Sequence, residues 1–332
     1  MNMDQIRQLI GSRVLCGIAL LVGLALAPAL HTVAAAPMEP RTWQVGVGIE
    51  TEDHRMQGNG FLPNQVWINV GDSVQWNVDS AEFHTITFLA KGQSRPPFNL
   101  NDPQQIAPQG GDHYDGVSYV NSGLLTHNAP HATYRLTFDT PGNYTYVCLV
   151  HGAMSAVIHI RPASTAYPFS QEQYRQQGRA QRDEYLRHGN ALERQAKLLA
   201  DGNASAGPQV TAGFGDGAVM LMRFYPSNIK VHVGDTVAFT NLDVEAPHTI
   251  TFGPEPQGGP TALFAPYGTP NAFDGSTPLN SGFLGADPHL FGNTFSVTFT
   301  QAGTYHYICG LHDDMGMLGT VIVLPKHRPD SD

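Results

Sequence analysis

The sequence predicts an all-β protein: two tandem Greek-key β-sandwiches joined by a partly helical linker. An internal repeat, short apolar/polar alternations and a dense supply of turn residues predict it. At 332 residues the chain has room for about two domains. It carries 35 Gly and 24 Pro, and only 14% of its residues are charged, which suits many strands linked by turns.

Residues 1–36 open with Arg7 and Arg13, continue through an apolar run from Val14 to Leu30, and reach the small residues Ala34-Ala-Ala36. Charged, apolar and small segments in that order describe a secretory signal peptide, so the expected location is exported, periplasmic or extracellular. An uncleaved membrane anchor is the competing reading, because the run is close to the shortest length that spans a bilayer. Cys16 lies at the start of the run, a poor place for lipid attachment.

The first repeat unit occupies residues 42–162. Val66-Trp-Ile-Asn-Val70, Val74-Gln-Trp76, Tyr134-Arg-Leu-Thr-Phe138 and Tyr144-Thr-Tyr-Val147 alternate with period two, the mark of half-buried strands. The second unit, residues 210–325, answers with Ile229-Lys-Val-His-Val233, Val237-Ala-Phe239, Phe295-Ser-Val-Thr-Phe299 and Tyr305-His-Tyr-Ile308. Landmarks between the strands repeat as well. Phe61-Leu-Pro63 corresponds to Phe224-Tyr-Pro226, Val70-Gly-Asp72 to Val233-Gly-Asp235, and Asn121-Ser-Gly123 to Asn280-Ser-Gly282. Within each unit a long Pro/Gly/Asn-rich excursion, about residues 91–126 and 253–287, is expected to pack over one end of the sandwich, with a lid or a partner surface as the competing reading.

Residues 163–209 form the linker. Ser170 and Gln173 fit a capping box, and Leu192, Ala196 and Leu199 share one helical face, while Gly178 and Gly189-Asn190 weaken the middle. Residues 204–208 loosen into the second unit.

Each unit closes on the same chemistry: Tyr144-Thr-Tyr-Val-Cys148-Leu-Val-His151-Gly-Ala-Met154 and Tyr305-His-Tyr-Ile-Cys309-Gly-Leu-His312-Asp-Asp-Met315-Gly-Met317. A further histidine stands upstream in Phe83-His84-Thr-Ile-Thr-Phe88 and Pro247-His248-Thr-Ile-Thr-Phe252. Two imidazoles, one thiolate and a weak thioether form a soft donor set that suits copper better than zinc, calcium or magnesium. The expected ligands are His84, Cys148, His151 and Met154 in the first unit, and His248, Cys309, His312 and Met317 in the second. A lone buried Cys is more often a small apolar residue than a ligand, and methionines fill cores routinely. The repeated histidines shift the balance to metal.

This arrangement resembles the plastocyanin type of cupredoxin, over most of both units. Cys148-x-x-His151-x-x-Met154 has the short spacing of amicyanin, and the longer second loop, with Met317-Leu-Gly-Thr-Val321, resembles that of plastocyanin. Met315 remains the competitor of Met317. The resemblance implies two type 1 copper ions, single-electron transfer to redox partner proteins, and downstream histidines, His151 and His312, near the surface as the electron exit. The unequal loops suggest unequal potentials.

Other functions are weighed against this one. Copper oxidases and nitrite reductases place a His directly beside the type 1 Cys; here the neighbours are Val147 and Leu149, then Ile308 and Gly310. No enzyme is expected. A copper storage or delivery protein is the alternative, since ligand identity does not separate carrier from chaperone. The chain has three cysteines and a net charge of -10. Without residues 1–36 the charge becomes about -11, which argues against nucleic acid and anionic lipid and permits a partner with a basic docking surface. A Cys148–Cys309 disulfide is disfavoured because each cysteine has its own histidine. His113, His127, His131, His289 and His306 are read as ordinary hydrogen-bonding residues.

Overall fold

The structure, a computed structural model, describes residues 39–127, 132–202, 207–285 and 292–326. The signal or anchor segment, Cys16, His131, His289 and the linker residues 203–206 lie outside the described residues. Residues 38–332 belong to one compact unit.

The first half contains strands β1 (Thr42–Glu50), β2 (Met56–Leu62), β3 (Gln65–Asn69), β4 (Ser73–Val78), β5 (Thr87–Phe88), β6 (His113–Tyr114), β7 (Val120–Asn121), β8 (Thr133–Phe138), β9 (Gly142–Val147) and β10 (Ser155–Arg161). One helical turn, α1 (Pro103–Ile106), sits in its excursion, and a long helix, α2 (Gln171–Gly202), follows it. The second half contains β11 (Gln209–Gly215), β12 (Val219–Tyr225), β13 (Asn228–His232), β14 (Thr236–Leu242), β15 (Thr251–Phe252), β16 (Leu279–Asn280), β17 (Thr294–Thr298), β18 (Gly303–Ile308) and β19 (Leu318–Leu324).

Two five-stranded sheets carry the same order in the two halves, β3-β10-β9-β5-β7 and β13-β19-β18-β15-β16. Each packs on a common sheet of nine strands, β17-β14-β11-β12-β2-β1-β4-β8-β6. The two sandwiches therefore share a layer. The junction is an antiparallel pairing of β12 with β2, with Val219 opposite Gly58, Met220 opposite Gln57 and Leu221 opposite Met56. Each edge strand thus satisfies backbone groups that would otherwise invite another chain.

Alternation along β12 sorts its side chains to two layers. Val219 and Leu221 join Met56, Phe214, Leu192 and Ala196 under α2, whereas Met220 and Met222 join Ala246 and Met315 on the opposite face. Each half keeps its own core, one around Trp76, Phe88 and Tyr146 and the other around Phe239, Phe252 and Tyr307.

The capping box closes as expected, with the Ser170 N–H donating to Gln173 Oε1 at 2.8 Å and the Gln173 N–H to Ser170 Oγ at 3.3 Å. Two expectations for the linker are corrected. The helix runs unbroken through both glycines, because they are contact points rather than weak points: each is buried, and a side chain at Gly189 would strike Met56 Sδ at 2.2 Å. Leu199 is 39% exposed, and the buried face instead follows Tyr174, Gly178, Gly189, Leu192 and Ala196.

Glycine costs about 1 kcal/mol against alanine inside a helix. A Cβ at Gly178 would meet its nearest neighbours at an ordinary 3.4 Å. Gly178→Ala is therefore expected to raise stability by up to about 1 kcal/mol, and Gly189→Leu to lower it by about 1–3 kcal/mol through overpacking. Urea denaturation of the two variants checks this; equal effects would show that the glycines do not differ in packing.

Candidate metal centres

Each upstream histidine is placed by a short antiparallel bridge to the excursion of its own half. His84 exchanges backbone hydrogen bonds with Leu125, both 2.8 Å, and His248 with Leu284 at 2.9 and 2.7 Å. Above each ring the first strand of the half carries a bulge, between Val47 and Ile49 in β1 and between Ala212 and Phe214 in β11. The bulge glycines, Gly48 and Gly213, both have φ of 76°. A Cβ there would lie 2.7 Å from His84 Nε2 and 2.0 Å from His248 Nε2, so only glycine admits the imidazoles.

The cysteines arrive at the ends of β9 and β18. Cys148 Sγ lies 3.9 Å from His84 Nδ1 and 3.7 Å from His151 Nδ1. Cys309 Sγ lies 3.6 Å from His248 Nδ1 and 3.4 Å from His312 Nδ1, and the two Nδ1 atoms are 3.1 Å apart. A metal bonded at about 2.0 Å to nitrogen and about 2.3 Å to sulfur, the lengths known for zinc, sets donor edges of roughly 3–4 Å. Both triads fit such an ion. Each sulfur also accepts a backbone N–H at 3.4 Å, from Thr85 or Thr249. Among the described residues Cys148 and Cys309 are free thiols, and no disulfide joins them.

The methionines close the loops. The Cys148 N–H donates to the Met154 carbonyl and the Cys309 N–H to the Met317 carbonyl, each at 3.1 Å. That shared bond makes Met317 the counterpart of Met154 despite the longer loop. Both are buried, at 0% and 1% exposure. Met315 points elsewhere: its Sδ faces Gln57 Nε2 of the first half at 3.8 Å.

Burial sets the protonation. It lowers His84 to about 3 and His312 to about 4. It drives His151, with help from His84 and the Arg95 guanidinium, and His248, with help from His312, well below the ordinary imidazole value. Burial also raises the Cys148 thiol and pushes Cys309 up to about 11. The imidazoles are thus neutral and ready to bind, whereas each thiol must give up its proton to a metal.

The residue-family comparisons agree with this geometry. The model of the copper binding proteins, plastocyanin/azurin family, matches residues 209–324. Plastocyanin of Hordeum vulgare is 31% identical over 126 residues, covering 38% of this chain and 68% of that protein. Plastocyanin of Sambucus nigra is 30% identical over 117 residues, covering 35% of this chain and 98% of that protein. The chain belongs to the plastocyanin/azurin family. For the plastocyanin of Fritillaria agrestis, 33% identical, the match spans 58% of that protein's length. Oxidized plastocyanin from Dryopteris crassirhizoma is a similar solved structure, at 25% identity and a TM-score of 0.24, with 35% of this chain and 99% of that chain covered. A reduced amicyanin variant has 18% identity and a TM-score of 0.24, over 36% of this chain and 82% of that chain.

Copper is accordingly the cofactor of this cupredoxin, and its two His–Cys–His groups fit two copper ions. One expectation is corrected. His151 and His312 are 3% and 6% exposed, because each loop packs against the other half. The Gly152 N–H donates to Glu245 Oε2 at 3.0 Å, and His312 Nε2 faces Glu82 Oε1 at 3.5 Å. His113, His127 and His306 pair with Asp139, Glu50 and Thr320 respectively.

Several supporting residues went unassigned in the sequence. Thr85 and Thr249 also bind the N–H after each cysteine through Oγ1, at 2.8 Å, and Asn121 and Asn280 accept from Thr87 and Thr251. Their signal was the repeat itself. Arg95 had no signal, since the second excursion, residues 253–285, contains no Lys or Arg; its guanidinium donates to the carbonyls of Cys148, His151 and Gly152, while Arg223 of β12 reaches the Met315 carbonyl of the second loop at 2.7 Å.

In metal-free protein the folded state keeps four imidazoles neutral, while the unfolded chain protonates them below about pH 6.5. The unfolded chain then binds more protons, so their contribution is intact above that pH and is lost as pH falls toward about 4. Glu82 and Asp243, raised by burial to about 8 and about 7, act in the opposite sense but are only two. The denaturation midpoint of the metal-free protein should fall steadily from pH 6.5 to 4. A midpoint that is flat or rising toward acid would refute the neutral imidazoles.

Proposed function

We propose that this protein is an exported carrier of single electrons with a type 1 copper in each half. The ligands are His84, Cys148, His151 and Met154 in residues 42–162, and His248, Cys309, His312 and Met317 in residues 210–325. The observation that carries the reading is the coincidence, twice in one chain, of a buried Cys thiol with two neutral imidazole Nδ1 atoms at 3.4–3.9 Å.

Copper supplies a centre that gains or loses one electron. The chain supplies rigidity and field. Ligands on bridged strands and hydrogen-bonded loops hold one geometry through both oxidation states. The N–H groups of Thr85 and Thr249 compensate thiolate charge. The bulge glycines fix the rings, and the cores exclude water. Arg95 places a cation on the carbonyls of the first loop, whereas the second loop has a guanidinium at one carbonyl, that of Met315, from Arg223 at 2.7 Å. A nearby cation favours the less positive, reduced state, so Arg95 raises the potential of the first site.

Burial also favours a carrier over a storage or delivery protein. The ligand side chains are at most 6% exposed, so no thiolate is presented to an accepting protein. No His adjoins either cysteine, which supports a non-enzymatic role. The charged, apolar and small-residue order of residues 1–36 supports export; among the described residues no helix is long and apolar enough to cross a membrane. The net acidity supports a redox partner with a basic docking surface.

Copper loading of the full chain tests the assignment. Cys148→Ser and Cys309→Ser should each lower copper from two ions to one and remove one site's thiolate-to-copper absorption in the visible. Full retention of copper and colour by either variant would sink that ligand set. Arg95→Gln should lower the potential of the first site by tens of millivolts, on the order of 1 kcal/mol for a charge at this range. Redox titration of the remaining blue band in the Cys309→Ser background measures it, and an unchanged potential would remove Arg95 from the account.

A further inference from the structure

One tripeptide, Ser80-Ala-Glu82, touches an imidazole of each site. Ser80 Oγ lies 2.9 Å from His84 Nε2 in its own half, and Glu82 Oε1 lies 3.5 Å from His312 Nε2 in the other. The reverse link starts in the second half. Glu245 Oε2 accepts the N–H of Gly152, the residue after His151, and Glu245 stands three residues before His248. Each acidic side chain thus joins the downstream histidine loop of one site to the segment bearing the upstream histidine of the other.

The space between is filled. Ala81, Met220, Met222, Ala246 and Met315 pack together there, and the Glu82 side chain is 13% exposed at the seam. The downstream imidazoles therefore face protein rather than solvent.

We propose that the two sites form one internally coupled pair, exchanging a single electron within the chain through His312–Glu82–His84 and His151–Gly152–Glu245–His248. The inference rests on the carrier function proposed above. In the step the reduced site loses one electron and the oxidised site gains it; no bond is made or broken, and no proton or co-reactant is required. Successive Cα atoms are about 3.8 Å apart and Glu82 is two residues from His84, so this route, with its one non-bonded contact of 3.5 Å, limits the separation of the sites to roughly 25 Å. Electronic coupling decays steeply with distance and is better through packed bonds and contacts than through a gap. Glu82 and Glu245 act as positioning residues that hold the contacts closed.

The test uses the full, copper-loaded chain, with copper content and the visible spectrum recorded first. A short pulse of a photogenerated one-electron reductant, supplied at well under one electron per chain, is followed by the redistribution of absorbance between the sites. We expect a first-order rate that does not change on tenfold dilution. Pulsed electron paramagnetic resonance of the fully oxidised protein should also show dipolar coupling between two spins within roughly 25 Å.

Glu82→Ala and Glu245→Ala should each slow redistribution while copper content is kept, because each opens one of the two contacts between the halves. Glu82→Gln, which keeps the reach of the side chain and an acceptor oxygen, should restore the rate. A rate that scales with protein concentration, or no dipolar coupling, overturns the pair even where both variants fail to fold. Two bound coppers with bimolecular exchange would overturn this inference alone, whereas absence of copper or of its thiolate absorption would overturn the carrier function and this inference with it.

Discussion

The antiparallel pairing of β12 with β2 is the constraint on which the rest of the molecule depends. It turns two sandwiches into a shared nine-stranded layer and fixes the register of one half against the other. Because side chains alternate across a strand, that register sends Val219 and Leu221 to α2 and Met220 and Met222 to the side where the ligand loops lie. Helix α2 then crosses the junction, with Tyr185 lying against Gly58 and Gly60 of β2 and Arg182 donating to the Glu50 carbonyl at 2.9 Å. Each fully buried aliphatic or methionine side chain on the seam adds about 1.5–3 kcal/mol. The junction is therefore a core, and the two halves form one body.

The same junction decides the environment of the sites. A loop that would face water in an isolated sandwich is instead closed by the partner half, so all six nitrogen and sulfur ligand residues of the two triads are buried. Removing water lowers the imidazoles and raises the thiols by one physical cause, the cost of a desolvated charge. It also strengthens whatever fixed charge remains nearby. Arg95 and Arg223 have weight for that reason, as cations anchored on carbonyls of the first and second loops respectively.

Rigidity comes from duplicated small polar groups. Thr85 and Thr249 each hold the cysteine sulfur by a backbone N–H and the next residue by a hydroxyl, and each leans on a second threonine and an asparagine. Such networks are valuable only when every member is satisfied. Here the asparagine amides also donate to the carbonyls of the excursions, so those long segments are packed supports rather than free loops.

The two His–Cys–His groups that the fold brings together, the strand alternation and the two-sandwich architecture were legible in the sequence because they are local patterns: period two, fixed Cys-to-His spacing and turn residues at repeated offsets. The choice of Met317 over Met315 was partly legible, and the shared Cys N–H to Met carbonyl bond settles which residue is equivalent to Met154. Gly178 and Gly189 were misread because a glycine's effect on a helix depends on what approaches it, and Met56 approaches from a strand more than a hundred positions away. The burial of His151 and His312, the reach of Glu82 and Glu245, and the fusion of the sheets lay beyond the sequence for the same reason. The sequence determined the chemistry each half carries, through short-range spacing. Tertiary structure alone decided that the two sites face each other, because edge pairing and its register are contacts between residues far apart in the chain, and no local pattern specifies which edge meets which.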